Sequence, residues 1–384
     1  MDFSLSDEQR MIRDAARDFA IRELLPGVNE RDRHAIFPAD QTKALASLGF
    51  FGMMVNPAYG GGGLDTISYV LALEEISKVD AAVAVILSVH NSLVCWGIET
   101  YGTEQQKEKY LIPLATGKII GAFLLSEPEA GSDARFQRTE AIGEGDHYRL
   151  NGTKSWITSA SSASVYLVMA QSDRQKGHHG INAFIVDKDT PGITLGPHEE
   201  KMGMRSSDTH SVMFTDVLVP RENRIGDDGF GFSFAMKCLD NGRIGIASQA
   251  LGIASGAFER ALRYSQERKT FGKPICQHQA IAFKLSDMAV KIEAARHLCL
   301  KAAWLKDRKQ PYRMAGAMAK HYCADSAMEI TTEAVQIFGG YGYVADYHVE
   351  RLMREAKLTQ IYEGTSEIQK VVISRSLLEE GQQG

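Results

Sequence analysis

Cysteine is scarce in this 384-residue sequence, and no two cysteines form a C-x-x-C pair. Cys95, Cys238, Cys276, Cys299 and Cys323 are odd in number and widely spaced, which speaks against a disulfide framework or a thiolate zinc site and for a reducing compartment. Positive charge is not in excess either. The net charge of -5 disfavours a nucleic-acid binder that works by neutralising phosphates. There is no G-x-S-x-G elbow and no H-E-x-x-H, and the eleven histidines form no ligand spacing beyond the adjacent His178 and His179. Serine-hydrolase and metal-hydrolase chemistry therefore have no foothold. No stretch is read as apolar over the roughly 20 residues a membrane span needs. The opening MDFSLSDEQRMIRDAARDF leads into an amphipathic helix rather than an apolar signal core. The expectation is a protein without membrane insertion, cytoplasmic in a bacterium or of the mitochondrial-matrix type.

With 44% hydrophobic and 24% charged residues, the chain is long enough for two or three domains. Its hydrophobic period changes twice. Residues 1–120 read as helical, opening on a capping box of Ser6 and Gln9, with Ile12, Ala15 and Phe19 on one face. Gly60 to Gly63 read as a flexible link rather than a phosphate loop, and Leu71, Leu73, Ile76 and Val79 as a further amphipathic helix. Residues 121–233 alternate as strands do. Asn151-Gly152 predicts a type I′ hairpin within residues 148–157, and further strands are expected at 165–169, 181–186, 193–195 and 212–214, packed as a small antiparallel sheet or barrel. Residues 234–384 return to helix and predict a bundle, with Ile244, Leu251, Phe258 and Leu262 as one apolar stripe. Each glycine among Gly242, Gly245, Gly252 and Gly256 costs that helix about 1 kcal/mol relative to alanine, so close approach of a neighbour or a flat ligand is expected there. The fold class is α+β, in three domains.

Several segments carry candidate chemistry. In QIYEGTSEIQ, residues 360–369, Glu363 precedes Gly364 and a helix that Ser366 and Gln369 would cap as a box; it is the candidate base, against the alternative of a solvated acid at a helix N-terminus. FLLSEPEAGSDA, residues 123–134, offers Ser126 and Ser132 as hydroxyl donors beside Gly131 in a polar turn. KSWITSA, residues 154–160, sets Trp156 and Thr158 on one strand face, suited to a flat polar ring or to an ordinary core. In ERKTFGKPICQHQA, Arg268 could clamp a phosphate or merely offset a helix dipole. QIFGGYGYVADY contains a G-x-G-x-x-A spacing, but it follows a helix rather than a strand, which rejects a dinucleotide fingerprint.

Taken in order, SEPEAGSDA, KSWIT, LDNGRIGIASQALGIA, ERKTFGKP, QIFGGYGY and IYEGTSEIQ resemble the acyl-CoA dehydrogenase family, most of all its short-chain, butyryl-CoA branch. The resemblance covers essentially the whole chain. It implies an N-terminal helical domain, a middle β domain and a C-terminal four-helix-type bundle, bound FAD, and α,β-dehydrogenation of an acyl-CoA to the trans-2-enoyl-CoA. It implies Glu363 as the base that takes the α-proton, with Arg243 ordering the site. Relatives that place the base on the long helix do so at the position of Gly242, which has no side chain. Leu125, Ser126, Trp156 and Thr158 are implied at the flavin, with Gly131 and Ser132 near it and Thr365 and Glu367 toward the adenylate half. Ser132, Asp240, Arg243 and Gly364 are implied on the substrate side. Arg268, Phe271, Gln279, Gln336 and Gly340 are implied to reach the FAD of a neighbouring subunit, in a homotetramer built as a dimer of dimers. Electron-transfer flavoprotein is the implied acceptor. Branched-short-chain or medium-chain specificity, an acyl-CoA oxidase, and a non-catalytic acyl-CoA-binding protein are the alternatives. Glu129 and Phe136 depart from the family's SEP-x-x-GSD surroundings and leave chain length open.

Overall fold

A computed structural model describes residues 4–381. The first part is helical: α1 (Asp7–Phe19), α2 (Val28–Arg33), α3 (Ala39–Ser47), α4 (Thr66–Ser77), α5 (Ala81–Ser88), α6 (Trp96–Tyr101), α7 (Glu104–Gln106) and α8 (Ile112–Ala115). The Ser6–Gln9 capping box that starts α1 is present in both directions. Three expectations fail here. Every residue of α4 but Ile67 is buried, so it is a core helix wrapped on all sides rather than an amphipathic one. The run Ala81–Tyr101, of 21 residues and mean hydropathy 1.8, is long and apolar enough to cross a membrane, and 94% of its most apolar window lies inside the fold. Polar side chains within it satisfy neighbouring backbone: the Asn91 amide donates to Phe50 O, and His90 pairs with Leu114 O and Gly121 N. The glycine stretch is also no loose link. Gly62 and Gly63 donate to Gly52 O and Val55 O, and a Cβ on Gly61 would lie 2.2 Å from Val55 O.

The middle part contains β1 (Gly121–Leu124), β2 (Glu140–Glu144), β3 (His147–Thr158), β4 (Val165–Gln171), β5 (Ile181–Asp187), β6 (Ile193–His198), β7 (Thr209–Pro220) and β8 (Arg224–Ile225). They form one sheet in the order β6-β7-β3-β2-β4-β5-β8, with β1 beside β4. The sheet is mixed rather than antiparallel throughout, because β1 and β2 each pair with β4 in parallel. All seven residues of β4 are buried because both its faces are covered: Val165, Leu167 and Met169 face the helical core, while Tyr166, Val168 and Ala170 join a second core within the sheet's own curve.

The expected hairpin at Asn151-Gly152 is absent. Both residues lie inside the single strand β3, at a register shift between Leu150 and Gly152 against β7. Asn151 exchanges two hydrogen bonds with Asp216, and a Cβ on Gly152 would meet Thr139 Cα at 2.6 Å. The Asn-Gly signal thus marks a bulge between long-range partners. The tight turn is Gly145-Asp146, closed by the pair Glu144 and His147.

The last part holds α9 (Gly231–Glu267), α10 (Gln279–Asp307), α11 (Arg313–Phe338), α12 (Val349–Thr359) and α13 (Ser366–Gly381). The glycines of α9 are explained by neighbours. A Cβ on Gly252 would sit 2.4 Å from Glu74 O in α4, and one on Gly256 would sit 2.4 Å from Lys78 O just beyond it. Asp32 of α2 ties all three parts together, accepting from Arg205 N of the β region and from Arg354 Nη2 of α12.

Candidate active site

Glu363 lies in the short turn between α12 and α13. The turn is held from outside: Ser366 N donates to Gln360 O, and the Gln360 amide and Ser366 hydroxyl both donate to Asp325 of α11. Thr365 Oγ1, not Ser366, accepts from an amide of the new helix, that of Ile368 at 3.3 Å. The predicted Ser366–Gln369 capping box is therefore not formed and Thr365 caps the helix alone, because Ser366 is drawn to Asp325 and Gln369 turns back to the Glu363 and Gly364 carbonyls. Glu363 has φ +50° and Gly364 φ +90°. For a non-glycine residue this costs on the order of 1 kcal/mol, and such strain concentrates at functional sites.

The carboxylate is aimed inward. The residue as a whole is half-buried, yet both carboxylate oxygens are shut off from solvent and neither has a hydrogen-bond partner. Burial pushes its pKa up to about 7, against the pull of the Lys320 and Arg243 charges. Beneath it lies Gly242 of α9, where a Cβ would stand 2.1 Å from Glu363 Oε2 and 2.7 Å from Leu93. The space over Gly242 is the space the Glu363 carboxylate occupies.

Two connected hollows meet at this acid. A cleft of about 590 Å³ is lined by Ser126, Gly131, Ser132, Trp156, Thr158, Glu363, Gly364 and Thr365, and by Lys201, Arg354 and Lys357. A smaller pocket of about 190 Å³ shares the first seven of these and adds Leu93, Phe123, Leu125, Met236, Leu239, Arg243 and Ile368. Trp156 has φ +58° and is 58% exposed, so it is a plate facing the cleft rather than a core residue. An exposed indole beside the hydroxyls of Ser126 and Thr158 fits a flat polar ring such as a flavin.

The walls of this cleft are joined by a buried lysine. Lys154, on β3, is completely buried and donates to Glu127 Oε1 at 2.7 Å, Gln137 Oε1 at 3.0 Å and Leu125 O at 3.1 Å. It connects the strand that carries Trp156 to the turn that carries Ser126. Asp240 pairs with Arg243 but lines neither hollow, and Glu367 is exposed at the start of α13.

Arg268, Phe271, Gln279, Gln336 and Gly340 are all exposed, and none of them lines either hollow. Arg268 and Gly340 share a concavity of about 420 Å³ with Tyr264 and Tyr341, and Phe271 is 96% exposed. Lys320, Lys154 and the basic rim of Lys201, Arg354 and Lys357 carry no functional mark in the sequence, and Gln369 is marked there as a partner of Ser366 rather than as a donor to the Gly364 carbonyl. A lone lysine or glutamine within a helix or strand carries no local mark of its partner.

Three family models match in order: the acyl-CoA dehydrogenase N-terminal domain at residues 6–118, the middle domain at 122–217 and the C-terminal domain at 229–378. The chain belongs to the acyl-CoA dehydrogenase family, whose members are FAD flavoproteins. It is 50% identical to the short-chain specific acyl-CoA dehydrogenase of Clostridium acetobutylicum, covering 97% of this chain and 99% of that one, and 47% identical to the mitochondrial short-chain specific enzyme of Mus musculus, covering 97% and 91%. Among solved structures, butyryl-CoA dehydrogenase from Megasphaera elsdenii superimposes with a TM-score of 0.97 at 50% identity, covering 98% of this chain and all of that one. A chain solved in work on the electron transferring flavoprotein of Acidaminococcus fermentans does so with a TM-score of 0.97 at 51% identity, over the same shares.

Proposed function

We propose that this protein is an FAD-dependent dehydrogenase of a short-chain, butyryl-CoA-like thioester, forming the trans-2-enoyl-CoA, with Glu363 as the base. The observation that carries the assignment of the base is a buried, unpartnered carboxylate at the junction of a flavin-sized cleft and a small, mostly apolar pocket. The α-proton of a thioester is weakly acidic, so its removal needs a base poised near neutrality and a donor for the carbonyl oxygen. Burial brings Glu363 to about 7. Its own backbone N–H donates to no protein acceptor among the described residues, which suits it to receive the thioester oxygen. FAD, when bound, accepts the hydride from the β-carbon. Trp156, Ser126 and Thr158 would hold it, with Leu125, Gly131 and Ser132 around them and Thr365 toward its other end. Arg243 closes the pocket beside the base and keeps a positive charge near it. Asp240 acts on the substrate side through Arg243.

The assembly is a homotetramer, a dimer of dimers, in which exposed Arg268, Phe271, Gln279, Gln336 and Gly340 meet the cofactor of a neighbouring subunit. A 96%-exposed phenylalanine next to an arginine-lined concavity supports that reading. An electron-transfer flavoprotein takes the electrons onward. Five unpaired cysteines, four of them buried, suit the reducing cytoplasm of a bacterium or a matrix-type compartment. The division into residues 1–120, 121–233 and 234–384 serves this chemistry, since the hollows lie where the β region meets the helices on either side. The test is the visible spectrum of the purified protein under anaerobic conditions. Butyryl-CoA should bleach the oxidised flavin band and raise a long-wavelength charge-transfer band; a flavin that stays oxidised would exclude this substrate.

A further inference from the structure

We infer that Lys320 is a positioning residue for the proton transfer: its buried ammonium holds the Gly364 carbonyl and so fixes the strained turn that carries the base over Gly242. This rests on the reading of Glu363 as the base.

Lys320 lies in the middle of α11 and is completely buried. A buried ammonium needs partners, and this one has a single protein acceptor, the Gly364 carbonyl at 2.7 Å. Among the described residues no carboxylate is paired with it, in contrast to an ordinary buried lysine. The same carbonyl also accepts from the Gln369 amide at 2.8 Å, so two donors from two helices grip one oxygen. That oxygen belongs to the residue after the base, in a backbone stretch with two successive positive φ values. Such a turn persists only where its surroundings hold it. Without the grip the 364–365 peptide is free to rotate, and the Gly364 and Glu363 dihedrals that relax with it would swing both the carboxylate and the Glu363 N–H away from the pocket.

The charge has a second effect. Glu363 is faced by Lys320 from α11 and by Arg243 from α9, and both favour its ionised form. Its negative charge is also felt by buried Tyr69 of α4 and Cys238 of α9 and by the adjacent, half-buried Tyr362, all of them hydrogen donors that stay neutral. Lys320 in turn is pushed down by burial to about 8, while Glu363, Asp325 and Glu367 pull it back up and Arg243 adds to the fall. Removing its charge leaves Glu363 with Arg243 alone against burial, so the pH at which the base ionises rises.

The experiment compares the parent flavoprotein with Lys320→Met, Lys320→Gln and Glu363→Gln, reading flavin absorbance, KM and kcat for butyryl-CoA across neutral pH. Lys320→Met is expected to keep its FAD and a KM within about threefold, to lose about tenfold or more in kcat, and to move the acidic limb of kcat upward by about one pH unit. Lys320→Gln keeps a donor without the charge; its kcat should recover part of the loss while its limb stays displaced. A parent-like kcat and limb in Lys320→Met, or a loss of flavin with an unmoved limb, overturns the proposal. Where Lys320→Met yields no folded enzyme, Lys320→Gln decides by the position of its limb alone. Low turnover in Glu363→Gln beside a parent-like Lys320→Met sinks the role of Lys320 and spares the base. Parent-like turnover in Glu363→Gln sinks both.

Discussion

Two buried acids in this protein, Glu127 and Glu363, each have a buried lysine nearby and are tuned in opposite directions. Burial works to raise the pKa of Glu127, but Lys154 at 2.7 Å and the amides of Arg138 and Thr139 outweigh it, and the carboxyl ends below its usual range. Burial also raises Glu363, and there no described residue hydrogen-bonds to the carboxylate: Lys320 spends its hydrogen bond on a carbonyl, and the acid settles at about 7. A satisfied pair builds a wall, and an unsatisfied acid is left able to take a proton. Glu363 lines the cleft, and Glu127 is buried behind its wall, where Lys154 joins the segments that carry Trp156 and Ser126.

The contrast is broken most forcefully at the acids themselves. Glu363→Gln should lower kcat by about 10³-fold, within the range expected for loss of a general base, with flavin content and KM near those of the parent. Steady-state assay with butyryl-CoA checks it. Lys154→Met should cost about 3–5 kcal/mol by stranding the Glu127 charge, read as a fall in thermal midpoint with flavin loss. Adding Glu127→Gln should restore much of that stability, whereas no recovery in the double variant would mean that Lys154 acts through packing. Gly242→Ala puts a Cβ where the Glu363 carboxylate lies, so kcat should fall about 10²-fold while the long helix gains propensity. Unchanged turnover there would show that the base can move aside freely.

The smallest effect concerns stability against pH. The pKa of Glu363 in the folded protein, about 7, lies above its ordinary value of 4.5, so the folded state binds this proton more tightly than the unfolded one. Its contribution to stability is complete below pH 4.5 and is lost as pH rises through 7. Glu363→Gln, which stays neutral, should therefore be more stable than the parent at alkaline pH, by up to about 3 kcal/mol, with the gap closing on acidification. Activity runs the other way, since kcat should rise through about 7 as the base ionises. Urea melts at two pH values test the first trend and a pH–rate profile the second.

Much of this was legible in the chain itself. The helical, alternating and helical periods predict the order of the three parts, because apolar spacing directly records which face of an element is covered. The ordered motifs led to Glu363, and Gly242 could be read as leaving room on the long helix. Other readings failed where distant residues decided the outcome. Asn151-Gly152 looks like a turn, but strands from elsewhere in the chain pair along both halves of β3, and the local preference is absorbed as a bulge. Ser366 looks like a cap until Asp325 takes its hydroxyl. The run 81–101 differs from these: its apolar length is written in the sequence, against the expectation of no such stretch, and what only the fold decides is that protein rather than lipid covers it.

What the sequence by itself determined is the succession of elements, the family they belong to and the acid proposed as base, since these depend on spacing and residue type within short windows. Only the tertiary structure decided how the carboxyl of Glu363 comes to titrate near neutrality. Its lack of a partner, the glycine beneath it and the lysine gripping the next carbonyl come from α9, α11 and α13, and a pKa is set by the charges and the water around a group, which no short window of sequence contains.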